Sequence, residues 1–238
     1  FWKEEMKEIE LIRERLPKIK EQGFIPTQRK GNTGVGYTFE CLFGIEENND
    51  SGADLNGKIE FKAARKNRSC RTSSFTQAPI WHFEIRDIIK KYGKQHPENE
   101  DRINWYPSLN NDVNPQGLIV KVVADELHIQ DQNDGRVIGT VPIAVLEYRF
   151  RQKLDKLLLV YADTKKIDGV EHFHYNEAYL CQRPSVSNIA SLVEEGKIVV
   201  EPRCHLFKST GKIRDRGCAF RMKGEYLRDL YREVEKVS

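Results

Sequence analysis

No apolar run in this 238-residue sequence is long enough to cross a bilayer; the longest, near Leu118–Val120 and Leu157–Ala162, span only a few residues. The opening FWKEEMKEIE is charged and amphipathic, so the expectation is that it is not a secretory leader. Since Phe1 is not Met, the expectation is a chain trimmed, processed or cut from a longer one. The five cysteines (Cys41, Cys70, Cys181, Cys204, Cys218) contain no CxxC pair. That excludes a zinc knuckle or a disulfide framework and points to reduced thiols in a cytoplasmic protein. No repeat, low-complexity tract or Gly/Ser-rich linker divides the chain.

What is present is a globular composition, 39% hydrophobic and 10% aromatic with mean hydropathy −0.64. The length suffices for one large domain or two lobes folded together. Net charge is only +3, but its distribution is uneven. Lys62–Arg71 holds five basic residues and no acid, and Arg203–Arg221 holds six with the single acid Asp215, so each window is +5. Two basic patches on an otherwise acidic chain suit a polyanion such as nucleic acid, although solvated basic loops would read alike.

Met6, Ile9, Ile12 and Leu16 have helical spacing, which predicts an N-terminal helix bent or ended by Pro17. A second helix is expected over Val35–Phe43 and a strand over Lys58–Ala64. Phe83–Tyr92 reads as a helix and His96–Gly117 as a long loop. Leu118–Ala124, Leu127–Gln130 and Val137–Val141 read as strands, with a turn at Asp134–Gly135. A helix follows with Leu146, Phe150 and Leu154 on one face. Then come strands Leu157–Ala162 and Val170–Tyr175, a helix from Pro184 to Glu195 closed by Gly196, and strand Ile198–Glu201. A basic hairpin, strand Ala219–Met222 and a final helix through Tyr226, Leu230 and Val234 end the chain. The mixture predicts an α/β or α+β protein around a central mixed sheet flanked by helices.

Gly31–Thr38 (GNTGVGYT) has the glycine spacing of a phosphate loop, but Tyr37 stands where the lysine should be and no apolar strand precedes it. Nucleotide hydrolysis is therefore disfavoured, because the charge that contacts the terminal phosphates is missing. Asp54 followed by Glu60-Phe61-Lys62 is more informative. On a strand, Glu60 and Lys62 leave by the same face. Two carboxylates and a lysine converging on one point suit a hard divalent cation and an activated water. Taken alone the pattern is also that of an ordinary strand with an exposed ion pair.

The run RKGNTGVGYTFE (Arg29–Glu40), then Asp54, then IEFK (Ile59–Lys62), and downstream GKIRDRGCAFRM (Gly211–Met222), resembles the MvaI/BcnI family of restriction endonucleases. Those enzymes are similar to the mismatch-repair nickase MutH and share the PD-(D/E)xK nuclease core. The resemblance spans residues 20 to 235 and implies a single 1–238 endonuclease domain, with an N-terminal helix over 1–20 and two lobes forming a DNA cleft. It implies that Asp54 and Glu60 ligate Mg²⁺, with Mn²⁺ as substitute, that Lys62 assists the water, and that Glu40 is an auxiliary acid. Double-stranded DNA is the implied substrate, cut by a monomer one strand after the other. A companion DNA methyltransferase or a larger parent protein is the implied partner, in a prokaryotic cytoplasm.

Candidate DNA contacts are Arg29, Lys30 and Asn32 in the glycine turn, Arg65, Lys66 and Arg68 after the catalytic strand, and the hairpin residues Lys208, Lys212, Arg214, Asp215 and Arg216. Arg214 and Arg216 share one side of an extended strand, and each guanidinium can pair bidentately with guanine O6 and N7. Asp215 could accept from a cytosine amino group or simply space the arginines. Lys208 and Lys212 suit phosphate. The family's reference member has histidines where Arg214 and Arg216 stand, so its target sequence does not transfer. His172 and His174 share a strand face without a third metal ligand, and Trp81, Trp105 and Tyr106 are core aromatics unless they stack on bases. The alternatives are a MutH-like nickase and a DNA-recognition module of a larger defence protein.

Overall fold

A computed structural model describes residues 2–45, 53–66, 71–185 and 189–238. Helix α1 (Trp2–Glu21) leads through β1 (Ile25–Pro26) to α2 (Gly34–Leu42) and β2 (Glu60–Arg65). Then come β3 (Arg71–Gln77), β4 (Ile80–Trp81), α3 (Ile85–Tyr92), β5 (Lys94–His96) and β6 (Asn99–Trp105). The meander β7 (Leu118–Val123), β8 (Glu126–Asp131) and β9 (Val137–Pro142) runs into α4 (Ile143–Leu154). Two long strands follow, β10 (Lys156–Ile167) and β11 (Val170–Pro184), and then α5 (Ile189–Glu194). The hairpin β12 (Val199–Phe207) and β13 (Ile213–Lys223), helix α6 (Gly224–Arg228) and β14 (Tyr231–Lys236) complete the chain.

The expected mixed α/β class holds, but the strands form three sheets within two compact units. The first unit comprises Phe1–Thr72, Arg151–Ser185 and Lys223–Ser238; the second comprises Ser73–Phe150 and Val186–Met222. In the first, the sheet order is β1-β11-β10-β2, with β14 also on β11. Among the described strands of this sheet, β10 and β2 are the parallel pair, with Leu157 opposite Glu60 and Leu159 opposite Lys62. Phe39, Phe43, Phe61, Phe173 and Tyr175 form its aromatic core with Ile12 and Leu16 of α1. The second unit holds an antiparallel meander, β4-β9-β8-β7, and a second sheet, β3-β13-β12-β6-β5.

Several expected elements differ, each for a physical reason. Helix α1 runs through Pro17, because Leu16 and Ile19 on either side are buried and their packing offsets the lost backbone bond. The expected loop after His96 contains β6, whose Ile103 and Trp105 alternate with the polar Arg102 and Asn104. Pro184 belongs to strand β11 and not to the helix, whose described part is Ile189–Glu194, followed by Gly196 at φ +68. The expected final helix stops at Arg228, and YREVEK becomes β14, pairing antiparallel with β11 from Tyr179↔Lys236 to Pro184↔Tyr231. An edge offering backbone partners there outweighs local helix propensity.

In the second unit, Asp131 is fully buried at the end of β8. Its Oδ2 accepts the Tyr92 hydroxyl at 2.6 Å and the Lys91 ammonium at 2.9 Å, and Oδ1 accepts the Asn133 amide at 2.9 Å. Burial pushes this carboxyl up, but the donors outweigh it and hold it down at about 2. A depressed carboxylate stabilises the fold above its unfolded value near 4 and loses that contribution as pH falls toward 2. Lys91 is half exposed, so water screens its share. Asp131→Asn is expected to lower stability by about 2 kcal/mol at pH 7. Urea midpoints at pH 3 and pH 7 check this: the wild-type advantage should shrink at the lower pH, and equal loss at both would refute it.

Candidate active site

An Asn-Gly pair is the strongest local reversal signal in ADLNGKIE. Asn56 and Gly57 take φ +52 and +70, and the Leu55 amide donates to the Ile59 carbonyl at 2.9 Å, closing the turn. Leu55 and Ile59 are buried beneath it. From above, the Glu8 carboxylate of α1 accepts Asn56 Nδ2 at 3.2 Å and Lys58 Nζ at 3.1 Å. The reversal sets Asp54 against the next strand, where its Oδ2 accepts the Phe61 amide at 2.8 Å. Since β2 ends its sheet order, that amide would otherwise lack a ladder partner.

Phe61 faces α2, with its ring 4.9 Å from Phe43 and 5.5 Å from Phe39. Strand alternation sends Glu60 and Lys62 to the other face. Glu60 is 1% exposed; its Oε1 accepts Lys62 Nζ and lies 3.7 Å from Lys153 Nζ. Its Oε2 is buried without a hydrogen-bond partner. Burial raises the Glu60 pKa; Lys62 opposes the rise and the Asp54 charge adds to it. The structure therefore brings Asp54, Glu60 and Lys62 together, as the sequence predicts. Glu40 lies half-buried on α2, the helix on the Phe61 side of β2.

A buried carboxylate oxygen without a donor, beside a second carboxylate, is the donor set of a hard divalent cation. Among the described residues no three His, Cys, Asp or Glu side chains cluster. An ion held by Asp54 and Glu60 thus needs water or substrate oxygens as well, which is the preference of Mg²⁺. Lys153, in the last turn of α4, is the residue sequence reasoning missed. Its only linear signal is that it adjoins Leu154 on the buried face of that helix.

The glycine turn is fastened from below. Arg65 donates to both Glu171 oxygens at 2.8 and 2.6 Å, and to the carbonyls of Asn32 at 3.0 Å and Gly31 at 3.1 Å. Its side chain is 4% exposed, so Arg65 braces this turn and is not a DNA contact as expected. Lys66 pairs with Glu177 at 3.1 Å, and Arg68 lies outside the described residues. Arg29 lies 3.8 Å over the Tyr37 ring, while Lys30 and Asn32 are exposed. His172 and His174 bond the carbonyls of Val170 and Lys20 respectively.

In the second unit, Lys208, Lys212, Arg214 and Arg216 are all exposed on the β12–β13 hairpin, with Lys208 Nζ donating to Gln95 at 3.1 Å. Asp215 is exposed as well, and its carboxylate is engaged within the protein, accepting Trp81 Nε1, the Gly217 amide and the Cys204 thiol. Trp105 is 1% exposed and belongs to the core, as its size favours.

The family model of the MvaI/BcnI restriction endonucleases matches residues 13–231. The fold is similar to that of a restriction endonuclease MvaI–cognate DNA substrate complex, at 23% identity and TM-score 0.79 over 96% of this chain and 98% of that one. It is also similar to restriction endonuclease MvaI in the absence of DNA, at 23% identity and TM-score 0.58 over 97% of each chain. A search of curated protein sequences gave no match.

Proposed function

This chain belongs to the MvaI/BcnI restriction endonuclease family and is a DNA endonuclease; from that premise we propose that it hydrolyses double-stranded DNA at a specific sequence, using Mg²⁺ or Mn²⁺ held by Asp54 and Glu60. The observation that carries the reading is the buried, unpartnered Glu60 Oε2 beside Asp54 and Lys62. When bound, the ion supplies positive charge to the attacked phosphate and lowers the pKa of water.

The chain's own residues do the rest. Asp54 is held by the Phe61 amide, so one of its oxygens is fixed and the carboxylate is oriented in advance. Lys62 shares Glu60 Oε1 and places its ammonium where negative charge grows as a water oxygen bonds to phosphorus and the bridging P–O bond breaks. Lys153 adds a second cation on the same side. Arg214 and Arg216 read guanines, and Lys208 and Lys212 hold phosphates. The enzyme works as a monomer alongside a methyltransferase that protects the same site in the cell. No described helix is long and apolar enough to cross a membrane.

Two carboxylates facing a phosphate repel it unless a cation intervenes. Chelation should therefore abolish cleavage, Mg²⁺ or Mn²⁺ should restore it, and Ca²⁺ should support binding without cutting. A supercoiled plasmid reads all of this: linear fragments of fixed size support the proposal, whereas nicked circles alone favour a MutH-like nickase. Cleavage surviving exhaustive chelation would remove the assigned roles of Asp54 and Glu60.

A further inference from the structure

Asp215 stands between the two outward arginines, and its side chain turns the other way. Oδ2 accepts the Trp81 indole N–H at 3.0 Å; Oδ1 accepts the Gly217 amide at 2.7 Å and the Cys204 thiol at 3.2 Å. The ladder slips at this point. Strands β12 and β13 pair from Leu206↔Ile213 to Cys204↔Asp215 and resume at Pro202↔Cys218, so Arg216 and Gly217 together oppose Arg203. That is a bulge, a device that re-aims the side chains it carries.

The surroundings hold the bulge from several directions. Arg203 donates to the Arg216 carbonyl at 3.3 Å and to the Thr76 hydroxyl at 2.8 Å. Gly217 has φ +70, and a Cβ there would lie a tight 3.2 Å from both Ala78 N and Thr76 Cγ2, so the position favours glycine. Trp81 lies so close to Gly139 that a Cβ on that glycine would sit 2.8 Å from the indole, and it tilts against the buried Trp105 at 5.5 Å. The donor that reaches Asp215 is therefore itself fixed.

A carboxylate accepting three protein donors has most of its lone pairs committed within the protein. We propose that Asp215 is a positioning residue for sequence specificity, a latch closed by Trp81 that sets the bulge and so the direction in which Arg214 and Arg216 leave the strand. The inference rests on the reading that these arginines contact bases. A guanidinium fork matches guanine O6 and N7 only over a narrow range of directions, so loosening the latch costs discrimination and not charge.

The test uses the full chain and the cleavage site identified by sequencing product ends from mixed-sequence DNA. Binding in Ca²⁺ is measured across every single-base variant of that site at several salt concentrations. Trp81→Phe removes the indole donor and no charge. It should reduce the preference for the cognate base about tenfold at the position Arg216 reads, leaving random-DNA affinity and salt slope unchanged. Asp215→Asn should lower the same preference, because its amide presents a donor to a donor, while the lost negative charge strengthens binding to all DNA alike. Loss of discrimination in Asp215→Asn but not in Trp81→Phe would mean Asp215 reads a base directly, and the latch would be overturned. Equal weakening on all DNA by both variants would also overturn it. Arg216→Ala is run in parallel: if it leaves discrimination intact, the base-reading role itself fails, and the latch falls with it for that separate reason.

Discussion

Cleavage should fall by about 10³-fold or more in Lys62→Ala and in Glu60→Gln, while DNA affinity stays within several-fold of wild type. Lys62 is the charge nearest Glu60, and Glu60 carries the one buried carboxylate oxygen of the site without a donor. Affinity comes mainly from phosphate contacts elsewhere, so the two readouts separate. The variants should also keep their fold. A buried carboxylate whose pKa burial has raised is a cost to the folded chain, and glutamine removes that charge at nearly constant volume. Glu60→Gln should thus melt no lower than wild type while losing activity. Single-turnover cleavage beside a melting curve decides the matter, and wild-type rates in either variant would sink the assignment.

The second large effect concerns recognition. Arg214→Ala or Arg216→Ala should cost about 1–3 kcal/mol on the cognate site, confined to the base pair that arginine reads. Lys208→Ala or Lys212→Ala should instead weaken cognate and random DNA alike and flatten the salt dependence by about one unit per lost phosphate contact. The split follows from shape, since a planar fork matches two guanine acceptors whereas an ammonium is a point charge. Binding series over single-base variants at several salt concentrations distinguish the two. If the arginine variants lose affinity equally for every sequence, the hairpin is a phosphate clamp.

The grouping of Asp54, Glu60 and Lys62 was legible in the sequence because its signals are local. Asn56-Gly57 makes the reversal, and strand alternation puts Glu60 and Lys62 on one side. The helix face of Leu146, Phe150 and Leu154 was legible for the same reason, and all three are fully buried. What failed was set by distant partners. Arg65 looks like part of a basic patch until Glu171 and the carbonyls of the glycine turn surround it. The bond from Trp81 to Asp215 was equally out of reach, since the indole comes from another strand. Lys153 and the conversion of YREVEK to a strand depend likewise on segments far away along the chain. Charge runs show which windows are basic but not which members are spent inside the fold.

The parallel pairing of β2 with β10 has a consequence for how the enzyme comes into being. The strand bearing Glu60 and Lys62 finds its neighbour only when Leu157–Ala162 exists, and the whole of Ser73–Phe150 lies between them in the chain. Synthesis runs from the N-terminus, so a ribosome finishes β2 long before the strand that flanks it. Such a long-range pairing also closes late in folding, after the loop entropy has been met. A nascent or prematurely terminated chain therefore carries Glu60 and Lys62 without the sheet that holds them. For a DNA endonuclease, this order of events leaves an unfinished copy without the sheet on which the proposed site is built.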